Sequence, residues 1–225
     1  MKFESRTLQI LKNYSTINPS LQFREGNTIS TVSPIKTMMS KATIKESVPG
    51  TFAIIDLSRF LGTLSLFDSP EIKLGNTSLE IKGNNRKVSY TYTDPKLIVT
   101  PGDKEIKLPD PEISFALNSD VLMSVTKAMG VLGLPEIAIA GENGKISVEA
   151  IDSKNPSSDN YSVEIDAPIY KIDPNAKFRM IFLAENIKIL PEAYAVSISS
   201  KGIAHFKGND IEYWIATESS STYTG

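Results

Sequence analysis

The segment Gly141-Glu-Asn-Gly-Lys145 is a candidate for nucleotide binding, because it superficially resembles a phosphate-binding loop. Such a loop has the spacing G-x-x-x-x-G-K-S/T and opens a helix, whose N-terminal amides hold the phosphates. This segment lacks that spacing and stands between two strand-like stretches. We therefore predict a hairpin turn here, not a nucleotide site.

Other candidates for catalysis or metal binding are few. The chain has no cysteine, and its one histidine, His205, lies in a strand-like stretch and is expected to be structural. Asp110 and Glu112 are close together but have no evident base or metal partner. No G-x-S-x-G or H-E-x-x-H pattern occurs. The sequence thus predicts a protein that is not an enzyme and that uses no metal or cofactor.

Basic side chains on four helix-like segments are stronger candidates for a binding function. These predicted helices are centred on residues 3–14, 57–64, 121–129 and 183–190. At about 100° per residue each has one apolar face, and its basic residues fall away from that face. Separate cations of this kind suit phosphate contacts that do not read base sequence. The candidate residues are Lys2, Arg6, Lys12, Arg59, Lys127 and Lys188.

The elements that must position these residues are repeated along the chain. A proline-rich connector at 95–111 separates a first domain, 1–94, from a second, 112–225. The sequence of each domain predicts the same order of elements: a strand, a short helix, a Pro-Glu pair, strands and a Lys-Gly-Asn turn. Within each domain, a weaker repeat of one helix followed by antiparallel strands also occurs. We predict an α+β fold of two similar domains, each with two helices on antiparallel sheets.

Composition limits the possible partners and location. The chain has 225 residues with a net charge of −2, which excludes a simple basic DNA-coating protein. No stretch approaches the roughly 20 apolar residues of a membrane helix, and the N-terminus lacks a secretion signal. A soluble protein of a reducing cytoplasm fits these features. The polar last eight residues, 218–225, are expected to be mobile.

Three segments carry a resemblance to a known family. They are residues 1–18, which end in ILKNYSTIN, the stretch AIIDLSRFLGTLSL and the stretch EIAIAGENGKISVEA. These resemble the replicative sliding clamps of T-even-type bacteriophages, in order through about residue 216. The resemblance implies a closed ring whose helices surround double-stranded DNA. An ATP-driven clamp loader would load the ring, which would tether the replicative DNA polymerase in the cytoplasm of the infected bacterial host and also serve late viral transcription.

The resemblance also implies two sets of site residues. The DNA-facing set is Lys2, Lys12, Arg59, Lys127 and Lys188, to which the helical arc adds Arg6. Ser5 departs from the family by replacing an expected basic residue, and Gly130 and Gly133 loosen the end of the third helix. A pocket for partner peptides is expected near the connector and the last strand, at Leu108, Pro109, Pro111, Tyr194, Trp214 and Ile215.

The number of domains predicts how such a ring would close. Two domains per chain need three chains for a six-domain ring, so a homotrimer is the natural assembly, and ring closure pairs otherwise exposed edge strands. Two other functions fit the composition. One is a β-rich structural or assembly protein without a DNA role. The other is a single-strand-binding module, for which the sequence offers few aromatic residues.

Overall fold

The computed structural model describes residues 1–102, 106–155 and 157–225, so residues 103–105 of the predicted connector lie outside the described residues. Internal contacts divide the chain into two compact units, Met1–Lys104 and Glu105–Gly225. Both consist of helices and antiparallel strands, in agreement with the predicted α+β class.

The described residues of the first unit form two α-helices and seven strands. β1 pairs with β4, β2 pairs with β3, and β5, β6 and β7 form a separate sheet in that order, all antiparallel. The elements are α1 (Ser5–Ile17), β1 (Leu21–Phe23), β2 (Gly26–Val32), β3 (Met38–Val48), β4 (Phe52–Ile54), α2 (Leu57–Leu64), β5 (Glu71–Leu74), β6 (Ser78–Gly83) and β7 (Arg86–Thr91), with a 3₁₀ turn at Pro95–Leu97.

The described residues of the second unit form one α-helix and ten strands in two sheets. One sheet has the order β12-β8-β14-β15-β16 and the other the order β11-β10-β9-β13-β17. The elements are β8 (Ile113–Leu117), α3 (Ser119–Leu132), β9 (Glu136–Glu142), β10 (Lys145–Ile151), β11 (Tyr161–Glu164), β12 (Ile169–Lys171), β13 (Lys177–Leu183), β14 (Tyr194–Ser199), β15 (Ile203–Lys207), β16 (Ile211–Ala216) and β17 (Thr222–Thr224).

Helical periodicity in the sequence explains α1, α2 and α3. The buried residues of α1 recur three or four positions apart, from Thr7 through Ile17, as an amphipathic helix requires. Asp56 caps α2 by accepting a hydrogen bond from the Arg59 amide at 2.8 Å. Gly133 ends α3 in the left-handed region with φ 67°. The apolar faces predicted for these three segments are confirmed.

The fourth predicted helix, 183–190, is wrong. Only one 3₁₀ turn forms there, at Ala184–Asn186. The Leu190 amide donates to the Tyr213 hydroxyl at 3.2 Å, and the Leu190 carbonyl accepts from the Tyr194 hydroxyl at 2.6 Å. The Leu190 amide is therefore not available for a hydrogen bond within a helix. In addition, Pro191 disfavours helical backbone at Leu190. A helix of so few residues gains too little to overcome the cost of nucleation, and the hydrogen bonds of Leu190 favour the observed backbone instead.

The predicted hairpin at Asn143-Gly144 is confirmed. Both residues have positive φ, 54° and 73°, and they join β9 to β10 in register. Gly141 is needed for packing, because a Cβ at this position would lie 2.2 Å from the Phe178 ring. The glycines of this segment therefore build a turn and a close contact.

The expectation that residues 218–225 are mobile is wrong. Residues 222–224 form β17, which pairs with the edge of β13. The Tyr223 ring stacks on Phe178 with 6.3 Å between centroids. This segment is polar because it lies on a partly solvated sheet edge, which the sequence alone does not distinguish from a free tail.

Asn18, which ends α1, is a buried polar side chain that ties three segments of the first unit together. Its Nδ2 donates to the carbonyls of Val32 at 2.9 Å and Val99 at 3.1 Å. Its Oδ1 accepts from the amide and hydroxyl of Ser20 at 2.9 and 3.0 Å. All of its hydrogen-bonding capacity is therefore used inside the protein.

Replacing Asn18 by Ala should lower the free energy of unfolding by about 3 kcal/mol, because two carbonyls and one amide lose their partner in a buried site. Urea denaturation of the variant measures this loss. Asn13→Ala, a change at a half-buried position of the same helix, is the control and should cost about 1 kcal/mol or less. A loss for Asn18→Ala no larger than for the control would contradict the assigned role.

Candidate nucleic-acid interface

Three of the predicted DNA-facing residues meet around one cavity in the first unit. Lys2, Arg6 and Lys12 line a cavity of about 700 Å³ beside both helices, together with apolar residues such as Leu8 and Leu61. The Arg6 guanidinium donates to Gln9 Oε1 at 3.0 Å, which holds it along α1. α1 and α2 pack against each other, and this packing places cations at the mouth of an apolar groove.

Acidic groups near α1 are engaged elsewhere. Glu4 pairs with Lys45 at 2.9 Å, and its hydrogen bond and charge raise the pKa of that lysine. Glu46 accepts from the Glu4 amide and, at 2.6 Å, from the Thr7 hydroxyl. Lys45 and Glu46 are both on β3. The carboxylates of Glu4 and Glu46 therefore bond between the start of α1 and β3.

The other predicted DNA-facing residues are Arg59, Lys127 and Lys188, and all three are exposed. Arg59 lies on α2 and Lys127 on α3, whereas Lys188 follows the 3₁₀ turn on irregular backbone. Within the part of the chain that the structure describes, the side chains of Lys2, Lys12, Arg59 and Lys127 form no ion pair. Such cations remain available for an external anion.

The connector end of the predicted peptide pocket is partly exposed and firmly anchored. Leu108, Pro109 and Pro111 are each half-buried on extended backbone. Between and after them, Asp110 pairs with Lys171 at 3.2 Å, and the Glu112 carboxylate accepts from the amide and hydroxyl of Ser200 at 2.8 and 2.7 Å. Glu112 therefore has a structural role.

The titration of Glu112 reflects this anchoring. Burial by itself raises the pKa of its carboxyl, but the hydrogen bonds from Ser200 stabilise the charged form and outweigh burial. The net result is a lowered pKa. The anchor therefore stays ionised at neutral pH, and it loses strength only as the pH falls through the lowered pKa.

The strand residues predicted for the same pocket lie on opposite faces of their sheet. Tyr194 and Ile215 are buried, at 2% and 0% exposure, and they face the core. Trp214 points to the other face, where it stacks on His205 with 4.7 Å between ring centroids. Successive residues of a strand alternate between faces, so Trp214 and Ile215 cannot line one pocket. As placed here, Tyr194 and Ile215 are packing residues.

His205, which the sequence predicts to be structural, stacks on Trp214, a residue of the predicted peptide pocket. Its Nε2 lies 2.9 Å from a carboxylate oxygen of Glu212, and its ring covers one face of the indole of Trp214. The register of β15 and β16 pairs His205 directly with Trp214. Strand alternation combined with this pairing was the signal that could have placed the two rings together. They form a partly exposed aromatic surface on the outer side of the sheet.

Among the described residues, no group of three or more histidine, aspartate or glutamate side chains is arranged to hold a metal ion. The described helices include none that is long and apolar enough to cross a membrane.

Comparisons with known proteins identify the family. Residues 2–100 match the family described as DNA polymerase processivity factor, and residues 114–219 match gp45 sliding clamp, C terminal. The sliding clamp of Vibrio phage KVP40 is 30% identical over 224 residues, covering 97% of this chain and 99% of the relative. The sliding clamp of Enterobacteria phage T4 is 28% identical over 228 residues, covering 99% of each chain.

Solved structures share the fold at low identity. Proliferating cell nuclear antigen (PCNA) from Thermococcus kodakaraensis superposes with a TM-score of 0.72 at 16% identity, covering 97% of this chain and 99% of that one. A. fulgidus PCNA, solved with the C-terminal region of FEN-1, gives 0.71 at 12% identity and 96% coverage of each chain. The predicted sliding-clamp fold is confirmed, and the chain belongs to the sliding clamp family of DNA polymerase processivity factors.

Proposed function

We propose that this chain forms a homotrimeric ring that encircles double-stranded DNA and holds the replicative DNA polymerase on its template. The observation that carries this proposal is the groove of the first unit, where Lys2, Arg6 and Lys12 line one cavity while the carboxylates of Glu4 and Glu46 bond between the start of α1 and β3. In a chain of net charge −2, this concentration of cations on the helices favours DNA contact there.

The proposed DNA contacts are of the phosphate type. Lys2, Arg6, Lys12 and Arg59 from the first unit, with Lys127 and Lys188 from the second, attract the duplex without reading bases. Exposed lysines hold phosphates through mobile, water-screened contacts. The ring therefore stays associated with DNA by topology and moves along it, which processive synthesis requires.

The proposed ring closes through strands β7 and β11. In the described part of the chain each is the outer strand of its sheet. Arg86 and Lys87 of β7 are exposed cations, and Glu164 of β11 is an exposed anion. Within one chain Lys87 pairs with Glu80 and Glu164 with Lys145, so these exposed pairs would exchange partners at a contact between copies. Val131, at the end of α3, is 75% exposed, and α3 packs beside β11. Opposite charges and an apolar patch fit a contact between β7 of one copy and β11 of the next, which closes on itself after three copies.

The proposed partner site is the surface formed by Leu108, Pro109 and Pro111, with Trp214 as its aromatic contact. The polymerase and an ATP-driven clamp loader would dock short peptides there, and late-transcription factors would use the same surface in the cytoplasm of the infected host. ATP is consumed by the loader and not by this chain. Residues 95–111 serve in this proposal as the connector between domains 1–94 and 112–225.

The proposal is tested by solution mass and by DNA topology. Light scattering should give about three times the 24.7 kDa mass of one chain. With polymerase and loader, the chain should lengthen primer extension on circular DNA and be lost from linear DNA through its free ends. A structural protein would assemble without stimulating synthesis, and a single-strand-binding module would hold oligonucleotides tightly. A monomer at all concentrations would contradict the ring.

A further inference from the structure

Residues 218–224 cover one edge of the five-stranded sheet in the second unit. β17 pairs with β13 from Lys177 to Arg179. Further along, the Glu218 amide donates to the Ile181 carbonyl at 2.7 Å, and the Ile181 amide donates to the Ser221 hydroxyl oxygen at 2.9 Å. The covering segment therefore occupies the β13 edge from residue 177 to residue 181.

This cover is held by few contacts. β17 has three residues, of which Thr222 and Thr224 are exposed. Its additional contacts are the stacking of Tyr223 on Phe178 and a 2.9 Å hydrogen bond from the Thr224 hydroxyl to the Lys177 carbonyl. A short, solvated strand with little apolar burial opens at a small fraction of the global unfolding free energy. The segment can thus be removed without dismantling the core.

The first unit covers its corresponding edge in the same way. After β7, the Thr93 amide donates to the Ala53 carbonyl of β4 at 2.8 Å. In the first unit, the chain after β7 turns back onto β4, the strand that precedes α2. In the second unit, the chain after β16 turns back onto β13, the strand that precedes the 3₁₀ turn at Ala184–Asn186. The same solution in two units indicates that an uncovered edge at this position is a liability.

The β13 edge is well suited to pair with itself. An antiparallel pair centred on Met180 places Phe178 opposite Phe182 and Arg179 opposite Ile181, with no like charges directly opposed. Phe178, Met180 and Phe182 are all apolar. An uncovered strand of this kind is a template for another copy.

We propose that segment 218–224 guards a second strand-pairing surface, the β13 edge, whose partner when uncovered is the β13 edge of another copy. The inference rests on the proposed ring, because a ring that closes through β7 and β11 must suppress any third adhesive edge. By covering β13, the segment closes one strand edge through which rings would otherwise join to one another.

The test is a chain that ends at Thr217. Its weight-average mass by light scattering should be at least double that of the full chain at equal concentration, with circular dichroism confirming the fold. This comparison holds whether the full chain is a trimer or not, so it fails independently of the proposed ring. A folded truncated chain that keeps the mass of the full chain overturns the proposal.

Two further variants make the test specific. In the truncated chain, half-buried Leu183 stands opposite exposed Lys177 across the proposed pair. Leu183→Lys should therefore return the mass to that of the full chain, whereas Leu183→Glu should leave it doubled. Equal behaviour of the two variants overturns the proposed pairing. If the chain ending at Thr217 does not fold, a chain ending at Ser221 removes only β17 and keeps the bonds at Ile181. That folded chain should also gain mass, and an unchanged mass overturns the proposal.

Discussion

Replacing Arg59, Lys127 and Lys188 together by Glu should abolish the ability of this chain to support processive DNA synthesis. All three side chains are exposed, so the substitutions leave the packed core unchanged. A cation about 4 Å from a phosphate in water contributes about 1 kcal/mol, and a carboxylate there costs a similar amount. Three reversals per chain therefore weaken duplex binding by about 10²-fold or more. Primer extension length with polymerase and loader measures the effect.

The control for this triple variant reverses the same number of charges elsewhere. Lys73, Lys154 and Lys201 are exposed and lie outside the helices, so changing them to Glu alters the net charge equally without touching the proposed DNA-facing set. This control should retain nearly full stimulation, and both variants should keep the assembly mass of the parent. Normal extension by the triple variant would show that the DNA-facing set is assigned wrongly.

Replacing Val131 by Asp should convert the assembly into single chains. Val131 is 75% exposed in the isolated chain, so the folded chain itself should change in stability by about 0.5 kcal/mol or less. At the proposed contact, an unpaired carboxylate would be buried, at a cost of roughly 3–5 kcal/mol per contact. The concentration at which half the chains assemble should therefore rise by about 10²-fold or more.

Ile35→Asp is the matched control for the Val131 substitution. Ile35 is 68% exposed between β2 and β3 and belongs to neither of the proposed ring-closing strands. Its substitution should therefore leave the assembly intact. Sedimentation across a concentration series distinguishes the two variants. An assembly that survives Val131→Asp unchanged would place the contact between copies elsewhere on the chain.

The sequence alone was sufficient for the features set by local pattern. The three- and four-residue spacing of Ile10, Leu11 and Tyr14 predicted the buried face of α1, and Asn143-Gly144 predicted the two-residue turn. Each depends only on residues close along the chain, because helical periodicity and positive φ are local properties. The family resemblance came from the same kind of local information, read as whole segments.

The partner surface needed knowledge of strand faces. The family resemblance placed Tyr194, Trp214 and Ile215 in one pocket near the connector and the last strand. Tertiary structure separated them, since Trp214 pairs with His205 on the outer face while Ile215 and Tyr194 pack inside. Which face of a strand is buried depends on its register with neighbours far along the chain.

Only the tertiary structure decided the conformation of segments whose backbone groups bond to residues distant along the chain. Residues 183–190 have a plausible helical pattern, yet the hydroxyl of Tyr213, 23 residues further along the chain, accepts from the Leu190 amide. Residues 218–224 are as polar as a free tail, yet the open edge of β13 orders them. In both cases weak local preference is overridden by hydrogen bonds to partners that only the folded chain brings within reach.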